Sequence, residues 1–137
     1  MCSGLYPKAP SFTGGRTYTQ GVKTVLVVDD DEAIRKFVRR VLETRSWTVL
    51  EAEDGVDGVA RFMLHQPDVL LTDISMPNGD GFEMLDVLRR GGYLEGIRVV
   101  IMSGVLGLDE IKKKAVGADA LLSKPFNLQD LFNAVGT

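Results

Sequence analysis

Residues 23–42 read KTVLVVDDDEAIRKFVRRVL. The apolar residues at 25–28 run without polar alternation, which suits a strand buried on both faces. Asp29, Asp30 and Asp31 follow at once. Ile34, Phe37, Val38, Val41 and Leu42 then recur at i, i+3, i+4, i+7 and i+8, placing one apolar stripe along a helix. Arg35, Lys36, Arg39 and Arg40 fall on the other side. The stretch is a strand, an acidic turn and an amphipathic helix. Asp31 and Glu32 read as first-turn acids favoured by the helix dipole.

The same unit recurs downstream. Apolar runs stand at 47–50, 69–72, 97–102 and 120–122. Between and after them lie helical patterns: Val56, Val59, Ala60 and Met63; Leu85 and Leu88; Leu108, Ile111 and Ala115; Leu128, Leu131, Phe132 and Val135. Five βα repeats predict an α/β, doubly wound domain: a parallel sheet with right-handed crossovers and helices on both faces.

Composition narrows the class. The 137 residues fit one domain, and 45% hydrophobic with 26% charged residues can build a core. No apolar run approaches the ~18–20 residues of a membrane helix. The start MCSGLYPKAP lacks the charge and apolar pattern of a secretory signal. These features lead to the expectation of a cytoplasmic protein. A net charge of −3 argues against direct, sequence-independent nucleic-acid binding. One cysteine, Cys2, excludes an intramolecular disulfide and a thiolate zinc cluster, and one histidine, His65, excludes a multi-histidine metal site. Residues 1–22 hold no acid, two basic residues and several Gly and Pro, and read as a flexible tail or linker. Residues 23–137 then form the domain.

In doubly wound sheets, chemistry sits past the carboxyl ends of the strands. Asp29, Asp30 and Asp31 follow the first run, Asp73 the third, Ser103 and Gly104 the fourth, and Ser123, Lys124 and Pro125 the fifth. Residues 51–55 (EAEDG), past the second run, read only as a helix lead-in. If the first and third strands are adjacent, Asp29, Asp30 and Asp73 converge. Two carboxylates ~4–5 Å apart repel by roughly 3–4 kcal/mol at an effective dielectric near 20. A cation compensates such a cluster, and an all-oxygen donor set with room for water suits Mg²⁺ or Mn²⁺. Lys124 can add positive charge and Ser103 a hydroxyl. A carboxylate nucleophile, a dication, a lysine and a hydroxyl meet the needs of phosphoryl transfer.

The sequence resembles the receiver domain of two-component response regulators. The resemblance rests on VVDD at 27–30, LLTDISMP at 70–77 with GDGF at 79–82, MSG at 102–104, GAD at 117–119 and SKPF at 123–126. The spacings are 43 residues from Asp30 to Asp73, 30 from Asp73 to Ser103 and 21 from Ser103 to Lys124. It runs from about Lys23 to near Val135. It implies a flavodoxin-like (βα)5 sandwich with strand order 2-1-3-4-5. It implies that Asp73 is the phosphoacceptor and that Asp29, Asp30, Asp73 and the backbone carbonyl of Ser75 hold Mg²⁺. Ser103 is then the switch hydroxyl and Lys124 the lysine paired with the phosphoryl group, followed by a cis bond to Pro125. The implied donor is a sensor histidine kinase or a histidine phosphotransfer protein, and slow self-catalysed hydrolysis resets the phosphoprotein, which is otherwise not an enzyme. The implied output is a protein partner on the face of the fourth helix, fifth strand and fifth helix.

One position departs from the family. An aromatic residue usually stands three before the lysine, and here Leu121 does. That puts the usual aromatic relay in doubt, not the phosphorylation. An aspartyl-phosphate small-molecule phosphatase is the alternative, but such enzymes favour Asp-x-Asp after the first strand and a cap domain. A flavin carrier of similar topology would need a phosphate-binding loop, and none is evident. His65 reads as a cation at a helix end, Trp47 as packing, Lys112, Lys113 and Lys114 as a solvated face beside the output surface, and residues 104–108 as a mobile loop. No effector module follows Thr137, so the domain is expected to act alone or as an excerpt of a larger protein such as a hybrid kinase.

Overall fold

The computed structural model describes residues 23–74, 81–104 and 117–136. The N-terminal tail, Ser75, residues 105–108 of the expected loop, the three lysines at 112–114 and the fourth helical stretch lie outside them. Five parallel strands, β1 (Lys23–Val28), β2 (Trp47–Ala52), β3 (Val69–Asp73), β4 (Arg98–Ser103) and β5 (Ala120–Ser123), form one sheet in the order β2-β1-β3-β4-β5. The described helices are α1 (Glu32–Glu43), α2 (Gly55–His65), α3 (Gly81–Arg90) and α4 (Leu128–Val135), the last being the fifth helical stretch of the sequence.

The period-2 alternation of side chains divides the core in two. Val25, Val27, Val69, Leu71, Val100 and Met102 pack with Val38 and Leu42 of α1 and Leu131 and Phe132 of α4. Leu26, Val28, Leu70, Val99 and Ile101 pack with Val59 and Phe62 of α2 and Met84, Leu85 and Leu88 of α3. Because both faces of β1 and β3 are covered, their sequences lack polar alternation. Three helix starts are capped by side chains: Asp31 accepts from the Ala33 N–H, Asp54 from the Asp57 N–H, and Asn127 forms a reciprocal box with Asp130.

Two expectations need correction. In α2 the buried residues are Gly55, Gly58, Val59 and Phe62, whereas Val56 is 69% exposed and Ala60 is exposed. Glycine counts for nothing in an apolar pattern, yet here it allows close approach. A Cβ on Gly58 would stand 2.6 Å from Met84 Sδ and 3.2 Å from Val28 Cγ2. Glu51 is not helix lead-in but part of β2, which runs to Ala52; only Asp54 serves the helix, as its cap. Arg35, opposite the apolar stripe of α1, is only 14% exposed and turns back over the end of β1. Trp47 is packed as expected, 5% exposed, at the opposite end of the sheet from the aspartates and paired in register with Lys23. His65 is exposed in the last turn of α2.

Candidate functional site

The register of the central strands assembles the site. Val28 pairs with Thr72, so the residues that follow, Asp29 and Asp73, emerge side by side. Asp73 pairs with Met102 and Ser103 with Ser123, which carries Ser103 and Lys124 to the same edge. The Lys124 N–H donates to the Ser103 carbonyl at 2.9 Å, tying the two strand ends together.

Asp29 has no solvent exposure, Ser103 is 3% exposed and Asp73 8%, while Asp30 is exposed. One carboxylate oxygen from each of Asp29, Asp30 and Asp73 lies within 4.8 Å of the others. Buried anions require compensation. Lys124 Nζ stands 2.9 Å from Asp29 Oδ2 and 3.5 Å from Asp73 Oδ2. Its partial burial works to lower its pKa, but the hydrogen bond and charge of Asp29, with Asp73, outweigh burial and raise it. The other oxygens are held by backbone: the Asp31 N–H donates to Asp29 Oδ1 and the Ile74 N–H to Asp73 Oδ1, both at 2.9 Å. Gly81 opens α3 directly against this strand end, where a Cβ would collide with the Asp73 backbone. The Lys124–Pro125 peptide is cis, as expected.

The donor set fits a small hard dication. It consists of oxygen alone, its atoms converge, and the exposed Asp30 leaves a side open to water. The structure thus brings together Asp29, Asp30, Asp73, Ser103 and Lys124.

Three residues, Arg35, Arg39 and Glu51, escaped the sequence reading. Arg35 Nη1 donates to the backbone carbonyl of Asp29 at 2.6 Å, and its Nε to Glu51 Oε1 at 3.0 Å. Arg39 Nε donates to Glu51 Oε2 at 2.6 Å. Partial burial works to raise the pKa of Glu51, but hydrogen bonds from Arg39 and Arg35 outweigh it and hold the carboxyl below its ordinary range. Arg and Glu on neighbouring elements give no periodic signal, so only their meeting in space reveals them. Beside Lys124 an apolar groove opens between Ala33, Ile34, Phe37, Pro125 and Phe126. The rings of Phe37 and Phe126 lie 6.0 Å apart.

The family model for the response regulator receiver domain matches residues 25–136. The chain is 31% identical over 118 residues to protein PilG of Pseudomonas aeruginosa, covering 85% of this chain and 87% of PilG. It is 36% identical over 115 residues to the chemotaxis protein CheY of Halobacterium salinarum, covering 82% and 93%. Among solved structures, the chemotaxis response regulator CheY4 of Vibrio cholerae superposes with a TM-score of 0.76 at 30% identity, over 82% of this chain and 94% of that one. The family match across residues 25–136, together with relatives above 30% identity over most of both chains, places this chain in the response regulator receiver domain family, the signalling domains of two-component systems.

Proposed function

We propose that Asp73 accepts a phosphoryl group from a phosphohistidine on a sensor histidine kinase or histidine phosphotransfer protein, and that the resulting acyl phosphate switches partner binding. The observation that carries this reading is a nearly buried carboxylate, Asp73, 3.5 Å from a lysine ammonium and clustered with Asp29 and Asp30. A carboxylate oxygen of Asp73 attacks phosphorus, the N–P bond breaks, and the imidazole leaves and takes up a proton. Lys124, already between Asp29 and Asp73, offsets charge on the phosphoryl oxygens. Ser103 donates its hydroxyl to a phosphoryl oxygen, a charge-assisted hydrogen bond. Water later attacks the same phosphorus, restoring the carboxylate and releasing inorganic phosphate, so the domain catalyses only its own modification.

Asp29, Asp30 and Asp73 would hold Mg²⁺, for which Mn²⁺ can substitute, with the Ser75 carbonyl as the remaining protein ligand. When bound, the cation neutralises the charge that gathers on the phosphoryl oxygens during transfer. Residues 23–137 act as the receiver unit in the cytoplasm, with 1–22 as a tail or linker. The two phosphorylation states differ in affinity for a protein partner at the face of the fourth helical stretch, β5 and α4.

Incubation with acetyl phosphate and Mg²⁺, read by intact mass and a phosphate-affinity gel, tests this. One phosphoryl adduct is expected on the parent and none on Asp73→Asn. An adduct on Asp73→Asn, or none on the parent with metal present, would sink the assignment.

A further inference from the structure

We infer that Arg35, held by Glu51, is a positioning residue for the acidic pair: it fixes the peptide joining Asp29 to Asp30 in the orientation that a divalent cation requires. The inference rests on the proposed role of those two carboxylates. Both backbone polar groups of Asp29 are tied to the end of β2. Its N–H donates to the Ala52 carbonyl at 3.1 Å. Its carbonyl accepts from Arg35 Nη1 at 2.6 Å, and Arg35 in turn hangs on Glu51, one residue before Ala52. Glu51 is itself clamped by Arg39 and is 21% exposed, so Arg35 has a fixed anchor. The carboxylate of Asp29 is meanwhile held by the Asp31 N–H on one oxygen and Lys124 on the other. The turn that must present Asp29 and Asp30 together is thus pinned from both strands and from α1.

Arginine suits this bridge because its planar fork presents donors in two directions at once, whereas a lysine ammonium is a single point charge. The sign of the effect separates positioning from simple proximity. A cation near a dication site repels the dication, so loss of Arg35 as a mere charge would tighten Mg²⁺ binding. Loss of a group that orients the ligands weakens it, and such outer partners govern metal affinity by about tenfold or more.

Amide NMR with Mg²⁺ titration of the parent, Arg35→Met, Arg35→Lys and Glu51→Gln tests the inference. In metal-free Arg35→Met the Asp30 and Asp31 amides are expected to shift while those of β4 and β5 keep their positions. The Mg²⁺ dissociation constant is expected to rise about tenfold in Arg35→Met and nearly as much in Arg35→Lys, with a smaller rise in Glu51→Gln. Unchanged or tighter Mg²⁺ binding in Arg35→Met, or full rescue by lysine, overturns the positioning role and leaves the proposed function standing. A parent that shows no saturable Mg²⁺ shifts at Asp29, Asp30 and Asp73 overturns both. Glu51→Gln keeps the size of the side chain and one oxygen acceptor, so it carries the comparison if Arg35→Met fails to fold; parent-like binding there overturns the inference.

Discussion

Lys124 Nζ lies 2.9 Å from Oδ2 of Asp29, a fully buried carboxylate 95 residues away in the chain. Breaking a buried pair by removing one partner leaves the other charge uncompensated, which costs more than the pair itself contributes. Lys124→Met is therefore expected to lose about 2–3 kcal/mol of stability in EDTA, less than the ~3–5 kcal/mol of a fully buried pair because Lys124 is 22% exposed. Mg²⁺ should restore much of that loss, since it supplies the missing positive charge. Urea denaturation in EDTA and in Mg²⁺ measures both. Equal losses in the two conditions would show that the ammonium does not neutralise the cluster.

Three carboxylates with oxygens within 4.8 Å strain the metal-free protein. Asp30→Asn removes the exposed member and should raise the melting temperature in EDTA by roughly 3 °C, the shift that about 1 kcal/mol produces in a domain of this size. The same variant should lose most of its stabilisation by Mg²⁺. A lower melting temperature in EDTA together with intact Mg²⁺ binding would contradict this.

The Glu51 carboxyl is held below its ordinary value of 4.5, because the hydrogen bonds from Arg39 and Arg35 outweigh the burial that acts to raise it. A depressed folded-state pKa contributes stability that is present above 4.5 and lost as pH falls through the folded value. The stability gap between the parent and Glu51→Gln should be constant at neutral pH and close below pH 4.5. Denaturant melts from pH 7 to pH 3 read it. A gap that does not change across that range would mean the charge of Glu51 contributes nothing.

Leu121 is half-buried, pairs in register with Ile101 and packs against the core shared with α2 and α3. It has no polar tip to anchor outside and swing inward, so the signal should pass through Ser103 and backbone shifts after β4 instead. Leu121→Ala should cost about 1–2 kcal/mol, less than a fully buried leucine, and leave most beryllofluoride-induced amide shifts intact. Ser103→Ala should suppress those shifts. The reverse pattern in amide NMR of the two variants would reject this route.

How far the fold could be read in advance follows from which interactions are local. The unalternated runs at 25–28 and 69–72 marked β1 and β3, because burial on both faces leaves a compositional trace in each strand alone. Asp29, Asp30, Asp73, Ser103 and Lys124 were legible because each stands at or just past the carboxyl end of a strand, and parallel strands bring all such positions to one edge. The face of α2 was misread because Gly55 and Gly58 pack by absence of a side chain, and only the nearness of Met84 and Val28 makes that absence necessary. Glu51 was misread and Arg35 missed for a related reason. In isolation a charged residue on a helix looks solvated, and whether it is depends on what the neighbouring strand places within 3 Å of its head. Periodicity and strand-end chemistry are properties of one segment and survive in the linear chain. The bond from Arg35 to the Asp29 carbonyl, the anchor at Glu51 and the 2.9 Å contact of Lys124 exist only once α1 has docked and the sheet from β2 to β5 has assembled, because each needs groups from separate elements held at fixed distance by the shared core.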